Sequence, residues 1–235
     1  MTSSPLFPGG VALSDLQVYD WAAADGCRGG TPHLHTASSE GYVVIGGTGS
    51  VQTVSSSGVE EHPLAVGDIV WFSPGTVHRL VNDGDLRLLV AMSNAGLPEA
   101  GDAVLTFPSD ILRDPDAYAA AAALDDVAGR EASARARRDL ALAGFEALRA
   151  GGPGALAQLH ADAARIVQGR VPQWREIWQA TVAAETARVD AQLDALAAGE
   201  PGGLRDASVR RAAERGPERT HGMCGMLRTW EWPAG

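Results

Sequence analysis

Three histidines and one glutamate stand at spacings that let their side chains meet. Around His33-Leu34-His35 a strand sends alternate side chains to one face, so the two imidazoles project together and Leu34 points to the other side. A short turn through Thr36 to Ser39 then reverses the chain and brings the Glu40 carboxylate in at the head of the next strand. A later hairpin between Gly67 and Asn82 returns His78 toward the same point. Imidazoles and a carboxylate converging in this way are metal-ligand chemistry. A His-x-His pair alone is weak ground for that, because satisfied or exposed histidines are common. The conjunction of the two strings is far more specific.

The two-residue period of a strand puts Tyr42 and Val44 on the face of Glu40, and Leu80 and Asn82 on the face of His78. With Trp71, Phe72 and Met92 these are the expected pocket residues, and ordinary barrel packing is the competing account of each. The sequence assigns no catalytic residue. Cys27, shortly before His33, reads as a buried inert thiol that could reach the pocket rim, and His62 and His160 as surface residues.

These side chains need a scaffold, and the chain supplies two kinds of pattern. From Val11 to Phe107 short β-branched and aromatic runs (LQVYDW, YVVI, SVQTVS, DIVWF, VHRLV, LRLLVAM, AVLTF) alternate with turn chemistry such as GGTG, SSSG, SPGT and NDGD. That spacing predicts an antiparallel sandwich or barrel. After Pro108 the sequence is alanine-rich, with apolar residues three and four apart. One stripe runs through Leu156, Leu159, Ala163, Ile166 and Val167; a second, starting near Pro172, runs from Val171 through Trp174, Trp178, Val182, Val189 and Leu193 to Leu196. Both predict amphipathic helices, with breaks at Gly151 to Gly154 and Glu200 to Gly203. The domain reading is therefore a barrel over 1–107, a helical region over 108–204 that packs outside it without giving metal ligands, and a tail over 205–235. The tail carries Met223, Met226, Trp230 and Trp232, too much apolar surface to leave in water. Its expected place is a strand on an open barrel edge, with a lid over the metal, where His221 or Cys224 would form an outer wall of the pocket, as the second choice.

The two histidine strings resemble the paired motifs of the cupin family. His33, His35, Glu40 and Gly47 fit the first motif, and Gly67, Gly75, His78 and Asn82 fit the second. Cys27 stands where the first motif has glycine, and Ser73 where the second has proline; both departures touch turns and neither touches a ligand. The resemblance covers about residues 10 to 107. It implies an all-β jelly-roll barrel of six to eight strands with a metal in its mouth, held by His33, His35, Glu40 and His78, and it makes a homodimer the expected assembly. Three imidazoles and one carboxylate suit one divalent transition metal ion, Fe, Mn, Ni, Co, Cu or Zn, without choosing among them. Such a ligand set leaves open positions for substrate, water or dioxygen.

The family hosts many activities, so the expectation is broad: a metalloenzyme on a small organic molecule, with dioxygenase-type cleavage first and isomerisation, cyclisation or elimination second. A non-catalytic binding or sensing module is the alternative. Composition narrows this. All 19 basic residues are arginine, which excludes Schiff-base, pyridoxal-phosphate and phosphate-loop lysine chemistry. Residues 1–107 set eleven Asp and Glu against Arg28, Arg79 and Arg87, a balance that speaks against nucleic acid and membrane partners. It also disfavours sugar phosphates. An uncharged, aromatic or singly anionic substrate fits better, unless arginines of the second half lean over the mouth. Those arginines alternate with acids and read as solvated helix faces. Two distant cysteines and a start without an export pattern point to a soluble, cytoplasmic protein.

Overall fold

The computed structural model describes residues 7–231. Seven strands form the barrel: β1 (Ala12–Val18), β2 (His33–His35), β3 (Glu40–Ser55), β4 (Gly58–Ala65), β5 (Ile69–Phe72), β6 (Val77–Met92) and β7 (Ala103–Leu105). The long β3 and β6 pair along almost their whole length and divide the work between two layers. Their Glu40 and Met92 ends carry β5 on one side and β1 on the other, while their Val54 and Val77 ends carry β4 on one side and β2 then β7 on the other.

Two expected turns are in fact bends. GGTG lies inside β3 and NDGD inside β6, where the pairing slips between Val44 and Gly49. Gly47 at φ 68° and Asp85 at φ 50° take the left-handed conformation there, and a Cβ on Gly47 would lie 2.2 Å from the Gly84 carbonyl oxygen. Paired bulges fold one long ribbon across two layers without reversing it. SSSG and SPGT do form turns, between β3 and β4 and between β5 and β6.

The helical region comprises α1 (Ser109–Leu112), α2 (Pro115–Ala122), α3 (Arg130–Val167), α4 (Val171–Trp178) and α5 (Ala184–Ala197). The expected break near Gly151 is a kink within α3, where Gly152 has φ 64° and Pro153 follows. The first stripe packs as anticipated: Leu156, Leu159, Ala163 and Val167 join Phe145, Leu148 and Trp174 in one core with Leu34, Val104, Leu105 and Phe107 of the barrel's outer face. Contact is close enough that a Cβ on Gly144 would fall 2.0 Å from the Thr106 carbonyl oxygen. The second stripe divides. Trp174 is buried, whereas Trp178, Val189, Leu193 and Leu196 remain largely exposed.

Not all arginines of α3 are solvated, which corrects the reading from charge alternation. Arg138 is fully buried and donates 2.8 Å hydrogen bonds to the carbonyls of Trp21 and Ala22. Arg137 donates to the carbonyls of Ala122 and Gly222. Backbone carbonyls left over by irregular chain need donors when buried, and the guanidinium fork supplies several at once. His160 likewise finds a partner, the Gly75 carbonyl at 2.8 Å.

The tail returns to the barrel through three short elements, β8 (Ala213–Glu214), β9 (Thr220–His221) and β10 (Gly225–Glu231). β10 adds antiparallel to the free edge of β1, from Ser14 opposite Thr229 to Val18 opposite Gly225. Trp232 lies outside the described residues. No helix among the described residues is long and apolar enough to cross a membrane.

Candidate metal centre

His33, His35, Glu40 and His78 are all buried and present ligand atoms within 4.8 Å of one another. The alternation in β2 produces half of this. Leu34 faces outward into the core beneath α3, and the imidazoles on either side therefore face inward. His78 is the cross-strand partner of His33, and Glu40 enters from the first residue of β3.

The protonation pattern is set from outside the cluster. His33 Nδ1 donates to the Thr31 carbonyl at 2.9 Å, and His78 Nδ1 to the Thr76 carbonyl at 3.1 Å. His35 Nδ1 donates to the buried Asp102 carboxylate at 2.7 Å, while the other Asp102 oxygen accepts from the Ser38 amide. With Nδ1 protonated, each neutral ring turns a bare Nε2 lone pair inward. The Nε2 atoms of His33 and His78 stand 3.1 Å apart. Glu40 Oε2 is 3.0 Å from His78 Nε2 and 3.3 Å from His35 Nε2. Lone pairs packed this closely repel unless a cation or a proton lies between them, so the donor set fits a metal ion, with the oriented second layer that such ligands require.

Without a metal, a proton takes that place. Burial lowers His35, but Asp102 and Glu40 outweigh it and lift its pKa to about 10. Burial and the two neighbouring imidazoles push His33 well below its ordinary value. Burial alone would raise Glu40; the rings of His78 and His35 reverse this and hold its carboxyl well below the usual range. The cluster is thus built to carry a carboxylate beside a positive charge.

Above the cluster lies a cavity of about 320 Å³. His33, His35 and Glu40 form its floor, and Leu13, Leu16, Val90 and Met92 one wall. The tail, whose β10 lies beside β1, adds further wall through Met223, Cys224, Leu227, Thr229 and Trp230. The tail therefore does both things that the sequence left as alternatives: it extends the β1 edge and it closes the pocket. The face that meets the cavity is that of Leu227 and Thr229, opposite Leu16 and Ser14.

Of the seven expected pocket residues, Met92 lines this cavity. Tyr42 and Phe72 lie behind the cluster, Phe72 with its ring 4.3 Å from that of His78 and Tyr42 edge-on to Phe72. The Tyr42 hydroxyl is buried without a hydrogen-bond partner among the described residues, and burial followed by the Glu40 charge raises its pKa. Val44 and Leu80 belong to the deeper core. Asn82 is committed to the scaffold, its Nδ2 donating to the Val18 carbonyl and its Oδ1 accepting from the Leu86 amide. Trp71 is 76% exposed on the outer face, because its neighbours Val70 and Phe72 take the inward positions of β5.

Sequence reasoning missed Asp102, which lies 67 residues from the ring it orients, and, Cys224 aside, the wall residues of the tail; His221 is not among the lining residues. Arg79, which follows His78 in β6, is buried and pairs with Asp25. Cys27 is half-buried and outside the cavity lining, its thiol raised by burial and by Asp25.

Residues 21–92 match the family model described as Cupin domain. Comparison by sequence with curated proteins finds no match. Among solved structures the chain is similar to a Streptomyces nucleoside dehydratase, Pac13, at 17% identity over 44% of this chain and 83% of that one, with a TM-score of 0.30. It is similar to a cupin protein from Bacteroides fragilis at 21% identity over 37% and 65% of the two chains, with a TM-score of 0.27. A protein from Thermotoga maritima described as a predicted oxalate decarboxylase matches at 20% identity over 35% and 64%, also with a TM-score of 0.27. The two motif strings and the family match together make residues 21–92 a cupin domain, set in a bent two-layer barrel that a helical C-terminal region follows.

Proposed function

We propose that the protein is a metal-dependent enzyme acting on a small uncharged, aromatic or singly anionic molecule, with His33, His35, Glu40 and His78 as the ligands of one divalent transition metal ion. The observation that carries this reading is the one-sided approach to the cluster. His78 is sealed behind Phe72, whereas His33, His35 and Glu40 open into an apolar cavity of ligand size. A bound metal would supply a Lewis-acidic or redox centre with positions open toward that cavity. The protein's own part is to hold three neutral imidazoles through their Nδ1 protons, to exclude bulk water with the walls of β1, β6 and the tail, and to orient an apolar molecule above the floor. Oxygen-dependent cleavage is the first reaction class and elimination, cyclisation or isomerisation the second.

Elemental analysis of purified protein tests the ligand set. His33→Ala, His35→Ala and His78→Ala should each abolish stoichiometric metal binding with the barrel's circular dichroism retained, and Glu40→Gln should weaken it less. A full metal equivalent in any of the three histidine variants overturns the assignment. Oxygen uptake during turnover then separates the two reaction classes, and tight ligand binding with no conversion under either condition would leave a binding module.

A further inference from the structure

We propose that the cavity takes small apolar monoanions, and that Arg215 of the tail holds their anionic group at the rim while the apolar body lies over the metal cluster. The proposal rests on the reading of this cavity as the substrate site. Among the described residues that line it, Arg215 is the one cation besides the histidines. Its neighbours are already engaged: Arg219 pairs with Asp15, and Arg228 with Glu214. Arg215 has no ion pair among the described residues, although its backbone is fixed, its amide donating to the Thr229 carbonyl at 2.9 Å. Pairing of Glu214 with Trp230 anchors the preceding residue to the end of the same wall.

The remaining charges give an anion a direction. Glu99, the acid at the rim, already accepts from the Gly96 amide at 2.9 Å. Glu40 at the floor adds a second negative group. A carboxylate entering this cavity therefore meets a free guanidinium at the mouth, with the planar fork that suits bidentate pairing. Between them the surface is apolar, formed by Leu13, Val90 and Met92 together with Leu227 and Trp230. A volume of about 320 Å³ is at the small end of ligand cavities, matching a body of about one ring.

The test uses 3-phenylpropionate and its neutral amide as probes, titrated calorimetrically into the full-length protein, both metal-loaded and metal-stripped. Wild type should bind the acid more tightly than the amide. Arg215→Ala should weaken the acid by about fivefold, the scale of a partly exposed ion pair, and leave the amide unchanged, in both metal states. Arg228→Ala, which removes a paired surface arginine, should change neither. Equal affinity for acid and amide in wild type, no binding of either probe, or an acid preference that survives Arg215→Ala and vanishes with the metal would each overturn the proposal. The metal content of the same samples is read independently. A full equivalent beside a failed acid–amide difference sinks the Arg215 assignment alone, and absence of metal from the wild type sinks the catalytic reading.

Discussion

The imidazoles at the floor of the cavity and the side chains of its C-terminal wall are held by contacts of very different range. His33 and His78 are each fixed by a carbonyl two residues away. The tail is fixed by groups from across the chain: Arg219 on Asp15, 204 residues apart, Arg137 of α3 on the Gly222 carbonyl, and the Tyr19 hydroxyl on that same carbonyl at 3.0 Å. Arg135 lies over the Trp21 ring, which stacks on Tyr19. The helical extension thus acts on the site at a distance, by clasping the loop after β1 and the turn that carries Met223 and Cys224. The His33, His35, Glu40 and His78 cluster belongs to the barrel, and the shape of the cavity above it belongs to the whole chain.

Removing residues 220–235 should break the two regions apart most completely. The buried Cys224 and the partly buried Met223 and Leu227 would lose their cover, a fraction of the roughly 1.5–3 kcal/mol that a fully buried large apolar side chain contributes, so the melting temperature should fall by about 6 °C. The open β1 edge should also promote self-association. Metal stoichiometry should persist, because no atom of the cluster comes from the tail. A folded truncation without metal would show that floor and wall are one unit.

The same contrast explains what the sequence disclosed. Strand alternation and turn spacing are local, so they place His33, His35, Glu40 and His78 and distinguish a β part from an α part. The bends at Gly47 and Asp85 mimic turns locally and are distinguished from them only by the continuous pairing of β3 with β6. Asp102 reaches His35 because β7 lies beside β2, a fact of topology with no local pattern. The apolar residues of the tail announce that it must dock, but its register on β1, and hence the choice of Leu227 and Thr229 for the cavity face, depends on the partner strand. Arg137 and Arg138 look like their solvated neighbours until the carbonyls they serve are in place.

Asp102→Asn should sharpen the comparison from the other side. The carboxylate serves His35 with one oxygen and the Ser38 amide with the other; an amide has a single oxygen and must fail one of them. Metal affinity should drop by roughly 10- to 100-fold, as for other ligand-orienting carboxylates, while ligand binding to the tail wall is unaffected. Titration with a metal-chelating competitor measures the first, and unaltered affinity would mean that the ring is held by packing alone.

Gly30→Ala addresses the seam between the regions. A Cβ at this position would lie 2.6 Å from Cys224 Cα, so the tail must retreat from the segment that leads into His33. Overpacking of this kind costs about 1–3 kcal/mol. Weaker ligand binding at unchanged metal content is the expected result, and an unaltered cavity would show that the tail yields without consequence.

The smallest effect concerns Asp15, buried between Arg87 and Arg219 with Arg228 as its cross-strand neighbour. The hydrogen-bonded guanidinium of Arg87, opposed by burial and aided by Arg219, holds its carboxyl below the ordinary value. A carboxylate depressed in the folded state stabilises the fold at pH values above the unfolded pKa, and that contribution disappears as pH falls through the folded pKa. Arg87 is half exposed, so solvent screening limits the contribution to about 1 kcal/mol. Acidification to below about pH 4, the ordinary Asp range, should therefore loosen β10 in the wild type, read as faster amide hydrogen exchange from Gly225 to Thr229. Asp15→Asn should show the same looseness already at neutral pH and lose that acid dependence, with the His33 and His78 amides protected in both. Exchange that rises equally at floor and wall, or a variant with wild-type protection at neutral pH, would show that this ion pair does not hold the wall in place.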